Sequence, residues 1–180
     1  MHEKRFDGAI ERLRAPERVE RLQVEHVIDL CLENGQFESV LDVGTGSGLF
    51  AEAFSRRGLA VSGLDVNPQM LIAAKGFVPD GDFRPGIVEK IPFPDKSSDL
   101  VFLGVVLHEA DDVEKALKEA KRIARQRVCI LEWPYRDQTF GPPLGDRLNP
   151  EDLAVLFHNV GFPKWKTTAL INTVLYSLEV

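Results

Sequence analysis

Three glycines and two acids carry the chemistry that is most legible in this chain. Gly44, Gly46 and Gly48 stand as G-x-G-x-G within Val40-Leu41-Asp42-Val43-Gly44-Thr45-Gly46-Ser47-Gly48-Leu49-Phe50, with Asp42 two residues ahead of the first. Glycine lets a backbone turn sharply and removes the Cβ atoms that would keep a ligand off the main chain. A helix resuming near Gly48 aims its free N–H groups into the same space. Asp65 ends Ala60-Val61-Ser62-Gly63-Leu64-Asp65, 21 positions after Gly44. A carboxylate so placed can accept two hydrogen bonds from the ribose hydroxyls of an adenosine-containing ligand.

Both acids need strands to hold them. The apolar run before Gly44 reads as a buried strand, and Ala60–Asp65 as a second. In a doubly wound sheet neighbouring strands end side by side, which brings Asp65 to the glycine loop. The dinucleotide fingerprint G-x-G-x-x-G/A needs a small residue at position 49, where this chain has Leu49. That tells against a nicotinamide cofactor. An acid two residues before G-x-G-x-G suits a ligand with a positively charged amino acid end and no pyrophosphate.

On these residues the chain resembles the class I S-adenosylmethionine-dependent methyltransferases. The resemblance implies that Asp42, Gly44, Thr45, Gly46 and Gly48 cradle the methionine part of the cofactor. It implies that Asp65, with Val66 beside it, holds the ribose. A second stretch, Gly86-Ile87-Val88-Glu89-Lys90-Ile91-Pro92-Phe93-Pro94-Asp95-Lys96-Ser97-Ser98-Asp99-Leu100-Val101, is similar to G-D-A-E-x-L-P-F-P-D-x-S-F-D-x-V of the methyltransferases related to ubiquinone and menaquinone biosynthesis. The family's adenine-binding acid falls on Ile87, which cannot accept a hydrogen bond. Adenine would then rest on backbone near Val88 and on apolar packing.

The resemblance also implies the fold. That is an α/β, Rossmann-like doubly wound sheet of seven strands with the last antiparallel, helices on both faces and an N-terminal helical segment. Residues 38–180 would form the cofactor-binding domain and residues 1–37 a helical cap. From Pro16 the helical spacing of Val24, Val27, Ile28 and Cys31 runs to Asn34-Gly35. The segment from Phe6-Asp7 to Arg14 is too polar to fold alone, and it resembles a segment that lies over the substrate side of the cofactor. A short strand is expected around Asp82-Phe83-Arg84, a fourth over Asp99 to Leu107, and a fifth at Val128-Cys129-Ile130-Leu131. Two closing strands, Trp165 to Ala169 and Thr173 to Leu178, would turn at Ile171-Asn172.

The fourth strand delivers Gly104 and Val105, and then His108-Glu109, to the side where ligands bind in open α/β sheets. His108 could serve as a general base; the alternative is a histidine that caps or lines the pocket. The nucleic-acid amino-methyltransferase signature is absent, since the residues here are Leu103-Gly104-Val105-Val106. After the fifth strand, Glu132-Trp133-Pro134-Tyr135-Arg136 opens a Gly- and Pro-containing loop to Pro150, a candidate lid or substrate wall. Trp133 and Tyr135 could pack on an apolar acceptor, and Arg136 and Arg147 could pair with an anionic one. Alternatively, the aromatics anchor the loop.

Composition bounds the rest. The chain has 180 residues, 44% hydrophobic and 28% charged, and a formal charge of −6 that argues against a nucleic acid partner. No apolar run approaches the roughly 20 residues that a membrane span needs. The N-terminus lacks the apolar core of a signal peptide. Cys31 and Cys129 form no C-x-x-C and read as buried thiols in a reducing cytoplasm, and no metal site is expected. The leading expectation is a small-molecule methyltransferase using S-adenosyl-L-methionine and releasing S-adenosyl-L-homocysteine, its acceptor unspecified. A non-catalytic protein binding either molecule is the alternative. A homo-oligomer is compatible with the sequence.

Overall fold

The computed structural model describes residues 10–180. The expectation for Phe6-Asp7 therefore lies outside the described residues, and only the end of that segment can be placed.

The order of elements is α1 (Ile10–Leu13), α2 (Pro16–Leu22), α3 (Val24–Leu32), β1 (Ser39–Val43), α4 (Leu49–Arg56), β2 (Ala60–Asp65), α5 (Pro68–Phe77), β3 (Asp82–Pro85) and β4 (Ser98–Gly104). Then come α6 (Val113–Ile123), β5 (Ala124–Glu132), α7 (Pro150–Val160), β6 (Trp165–Ala169) and β7 (Val174–Glu179). Among the described residues these strands form one seven-stranded sheet in the order β3-β2-β1-β4-β5-β7-β6. β3, β2, β1, β4 and β5 run parallel, and β7 is antiparallel to both β5 and β6. The reversal between β1's neighbours β2 and β4 is the switch point where such sheets open a crevice at their carboxyl ends.

Why these strands are buried follows from the two-residue period. Val101 and Leu103 join Leu41, Val43, Val128 and Ile130 in a core covered by Leu117 and Ile123 of α6 and Phe157 of α7. Leu100 and Phe102 point the other way, with Val40, Cys129 and Leu131, into a core covered by α2, α3 and Phe54 of α4. A strand apolar on both faces belongs at the centre of a parallel sheet, and β4 is central. Cys31 and Cys129 are both buried free thiols.

Several boundaries depart from expectation. The helix read from Pro16 onward is two helices, because Gln23 adopts a left-handed conformation with φ 50°. Its N–H closes α2 on Glu20 and Val19, and its Oε1 accepts Ile171 N at 3.1 Å. The break redirects the chain so that Leu22 on one side and Val24 and Val27 on the other are all buried. The Ile10–Leu13 part of the polar segment is helical, with Leu13 buried. β4 stops at Gly104 rather than Leu107, because Val105 takes φ 53° and Leu107–Glu109 forms a 3-10 turn. β5 begins at Ala124, directly after α6, so Arg125-Gln126-Arg127 lies within the strand. The closing hairpin keeps its expected turn at Ile171-Asn172, where Leu170 N donates to Thr173 O at 2.9 Å.

Among the described residues, no helix is long and apolar enough to cross a membrane.

Candidate functional site

The glycine loop leaves β1 with three left-handed residues, Gly44, Gly46 and Gly48, at φ 69°, 51° and 77°. Two of these positions are also closed by neighbours. A Cβ on Gly44 would lie 2.4 Å from Val106 Cγ2, and one on Gly48 would lie 2.8 Å from the Ala74 Cα. The loop thus fits between the turn after β4 and helix α5 only without side chains. Gly48 caps α4, and Thr45 N donates to Leu64 O at 2.9 Å, tying the loop to β2.

Around this loop an open cleft forms at the carboxyl ends of β1, β2 and β4. Of the residues expected to meet a cofactor, Gly44, Gly46, Asp65, Val66, Ile87, Val88, Gly104 and Val105 line it. Asp42, Thr45 and Gly48 do not; they stand behind the loop and shape it. Asp42 is only 2% exposed, and its Oδ2 accepts both Thr45 Oγ1 at 2.8 Å and Ala51 N at 3.1 Å. One oxygen therefore joins the loop to the first turn of α4. Burial raises the Asp42 pKa to about 7 against the pull of those hydrogen bonds.

Asp65 occupies a different position. Its Oδ2 accepts Gly46 N at 2.8 Å and its Oδ1 accepts Asn67 N at 2.9 Å, fixing the carboxylate between the loop and the start of α5. Burial again raises its pKa, opposed by backbone N–H groups of Asn67, Gly46 and Val66. A carboxylate has about four acceptor sites, so capacity remains on the cleft side for a pair of hydroxyls. Beyond it, the exposed apolar side chains of Val66 and Ile87 flank one end of the cleft.

The opposite end is formed by Gly104, Val105, Val106 and Glu109. Val105, a β-branched residue at positive φ, is held there by its N–H bond to Leu131 O at 2.7 Å. Such a conformation costs of order 1–3 kcal/mol and persists where the surroundings over-determine it.

His108 sits behind this end, 8% exposed, and is not among the lining residues. Its Nδ1 lies 2.9 and 3.1 Å from the two oxygens of Glu132, and its backbone N also donates to Glu132 at 3.1 Å. Burial is the largest influence on the ring and lowers its pKa. It is outweighed by the charge and hydrogen bond of Glu132, with help from Glu109 and Asp146, so the net direction is upward.

The loop after β5 is organised by two of its own residues. Trp133 is 5% exposed, its ring tilted against Phe140 with centroids 5.8 Å apart, and a Cβ on Gly141 would lie 2.8 Å from its Cδ2. Arg147 is 6% exposed and makes five hydrogen bonds, to the carbonyls of Pro134, Arg136, Phe140 and Pro142 and to Gln138 Oε1. Its guanidinium is spent holding the loop rather than awaiting an anion. Tyr135 is exposed, and Arg136 donates to Ile171 O at 3.2 Å; neither lines the cleft.

The cleft also holds residues the sequence reading missed. Leu13 and Arg18, from the N-terminal helices, line it, as do Met70 and Glu89. Glu89 reaches across to accept Asp111 N at 2.7 Å, ahead of α6. No local pattern signals Arg18, which is separated from the loop by α3 and β1.

The chain belongs to the methyltransferase domain family, whose model matches residues 41–130. Membership implies S-adenosyl-L-methionine as the cofactor. It is similar to the demethylmenaquinone methyltransferase of Chlorobaculum tepidum, 33% identical over 54% of this chain and 41% of that one. It is likewise 34% identical to the malonyl-[acyl-carrier protein] O-methyltransferase of Serratia marcescens, over 52% of this chain and 37% of the relative. The matches thus take in less than half of these relatives' own length. The crystal structure of a SAM-dependent methyltransferase from Aquifex aeolicus shares the fold. Its TM-score is 0.80 over 95% of this chain and 96% of that one, at 24% identity.

Proposed function

We propose that the chain transfers a methyl group from S-adenosyl-L-methionine to a small-molecule acceptor. The observation that carries this reading is the convergence of Gly44, Gly46, Asp65 and Gly104 on one cleft. Bare backbone lies where a long ligand would rest, and a hydrogen-bond-accepting acid stands at one side. The residues fit the cofactor. Asp65 takes the ribose, Val66 and Ile87 sandwich an aromatic base, and backbone near Val88 supplies polar contacts that Ile87 cannot. Asp42, Thr45 and Gly48 act through the loop they shape.

When bound, the cofactor supplies a sulfonium methyl group whose positive charge is lost on transfer, the C–S electrons returning to sulfur. The apolar wall of Val105 and Val106 suits that loss, because it does not favour the charged starting state. Glu109 faces the same end and would border the acceptor. Most of the rate would come from holding the acceptor about 3–3.5 Å from the methyl carbon. His108 would not take the acceptor's proton: it stands behind the cleft rather than lining it, and its Nδ1 is committed to Glu132. We infer instead that His108 and Glu132 brace the ends of β4 and β5, while Trp133, Tyr135, Arg136 and Arg147 shape the loop beside the acceptor.

The two curated relatives act, by their names, on a demethylmenaquinone and on a malonyl group carried by a protein. The acceptor atom is thus left to experiment. A net charge of −6 supports a small molecule over nucleic acid. Two buried thiols left unjoined accord with a cytoplasmic setting. The test is to incubate the chain with methyl-labelled cofactor and separate panels of quinols, carboxylic acids and thioesters, amines and thiols. Label transfer to one panel that vanishes in Gly44→Val supports the reading. Tight S-adenosylhomocysteine binding with transfer to none of them would point to a protein that binds the cofactor without using it.

A further inference from the structure

We propose that Arg18 recognises the α-carboxylate at the amino acid end of the bound cofactor. This rests on the S-adenosylmethionine reading above and adds a residue from outside the matched segment of the family.

The cofactor brings an ammonium and a carboxylate to one end of the cleft, and the carboxylate needs a partner. The charged side chains lining the cleft are Asp65, Glu89, Glu109 and Arg18, so Arg18 is its single basic residue among those described. Without it, the lining would present three acids to an approaching anion.

Position agrees with charge. The N-terminal segment is fastened to the glycine loop. Leu13 Cδ1 lies 3.4 Å from where a Cβ on Gly46 would stand. Arg14 donates to Ser47 O at 3.0 Å, pairs with Glu52 of α4, and lies 3.5 Å from the centre of the Phe77 ring. These contacts fix where α2 begins, and Arg18 is in its first turn. Arg18 lines the cleft together with Gly46 and Glu109. With α2 starting beside Gly46 and Ser47, Arg18 belongs to the end where the loop meets the ligand.

The surroundings favour an incoming anion. Burial lowers the pKa of the guanidinium, and Arg21 and Arg12 lower it further, with Glu109 opposing them. A partly buried guanidinium beside two like charges gains from a second carboxylate, and its planar fork can take both oxygens at once.

Calorimetric titration of the full chain with S-adenosylhomocysteine and with 5′-methylthioadenosine tests this, since the second ligand keeps the adenosine and thioether but lacks the amino acid. Arg18→Gln should weaken S-adenosylhomocysteine by about 10- to 100-fold, as loss of a charged hydrogen-bond partner does, and leave methylthioadenosine within about twofold. Arg18→Lys should recover part of the loss. Asp65→Ala should weaken both ligands. If Arg18→Gln weakens both ligands alike, or neither, while the unaltered chain binds both, the Arg18 proposal is overturned and the cofactor reading survives. If the unaltered chain binds neither ligand, the cofactor reading fails and takes the proposal with it. Circular dichroism melting of Arg18→Gln and Arg18→Lys separates misfolding from lost recognition.

Discussion

Asp42 and Asp65 are the same residue type at the carboxyl ends of adjacent parallel strands, and they do different things. Asp42 is sealed behind the loop and gives one oxygen to a hydroxyl and a helix N–H. Asp65 is held by two backbone N–H groups and faces the cleft. The motif therefore divides into residues that make the loop and residues that line the cleft. An acid beside glycines in sequence is no guide to which of the two it is.

The sharpest way to break that division is to damage the loop without touching the ligand surface. Gly44→Ala places a side chain at φ 69° and 2.4 Å from Val106. Left-handed strain and overpacking should together cost about 2–5 kcal/mol of stability in urea unfolding, with cofactor binding lost. A cost below about 1 kcal/mol would mean the loop tolerates a Cβ and is not shaped as described.

A second, smaller effect separates the cleft from the loop after β5. Arg147→Ala strands four carbonyls and a side-chain amide, and should destabilise by about 2–4 kcal/mol. It should open residues 134–147 to limited proteolysis while S-adenosylhomocysteine affinity changes little. Unchanged protease resistance would contradict its structural part.

The third prediction concerns Asp42 alone. Its folded pKa is raised to about 7, so its contribution to stability is full below the ordinary aspartate value and is lost as pH rises through 7. Asp42→Asn keeps a carbonyl oxygen for Thr45 and Ala51 and carries no charge. Its melting temperature relative to the unaltered chain should rise between pH 5 and 9, and a flat difference would argue against a buried, titrating Asp42. The smallest effect is at His108. Glu132 raises its pKa, so the pair's stabilisation is full below about 6.5 and fades as pH rises through the folded value. The melting curves of His108→Gln and the unaltered chain should converge toward alkaline pH, and divergence there would reverse the assignment.

What was legible in the sequence is what is local. The glycine loop, the acid closing β2 and the closing hairpin all follow from spacing within a few residues. The Gln23 break was hidden because burial of Leu22 and Val24, not local propensity, decides it. The end of β4 was hidden because the apolar run continues through Leu107, and periodicity does not report a change in the sign of φ. Arg147 reads as a free cation until the loop's carbonyls are seen folding around it. Arg18 was out of reach for a simpler reason: only the packing of α1 and α2 on the loop brings it to the cleft.

The most direct measurement is calorimetric titration of S-adenosylhomocysteine into the unaltered chain, Asp65→Ala and Asp42→Asn. The account predicts one-to-one binding, weakened by about 1–3 kcal/mol in Asp65→Ala and nearly unchanged in Asp42→Asn. No binding, or a larger loss in Asp42→Asn than in Asp65→Ala, would contradict it.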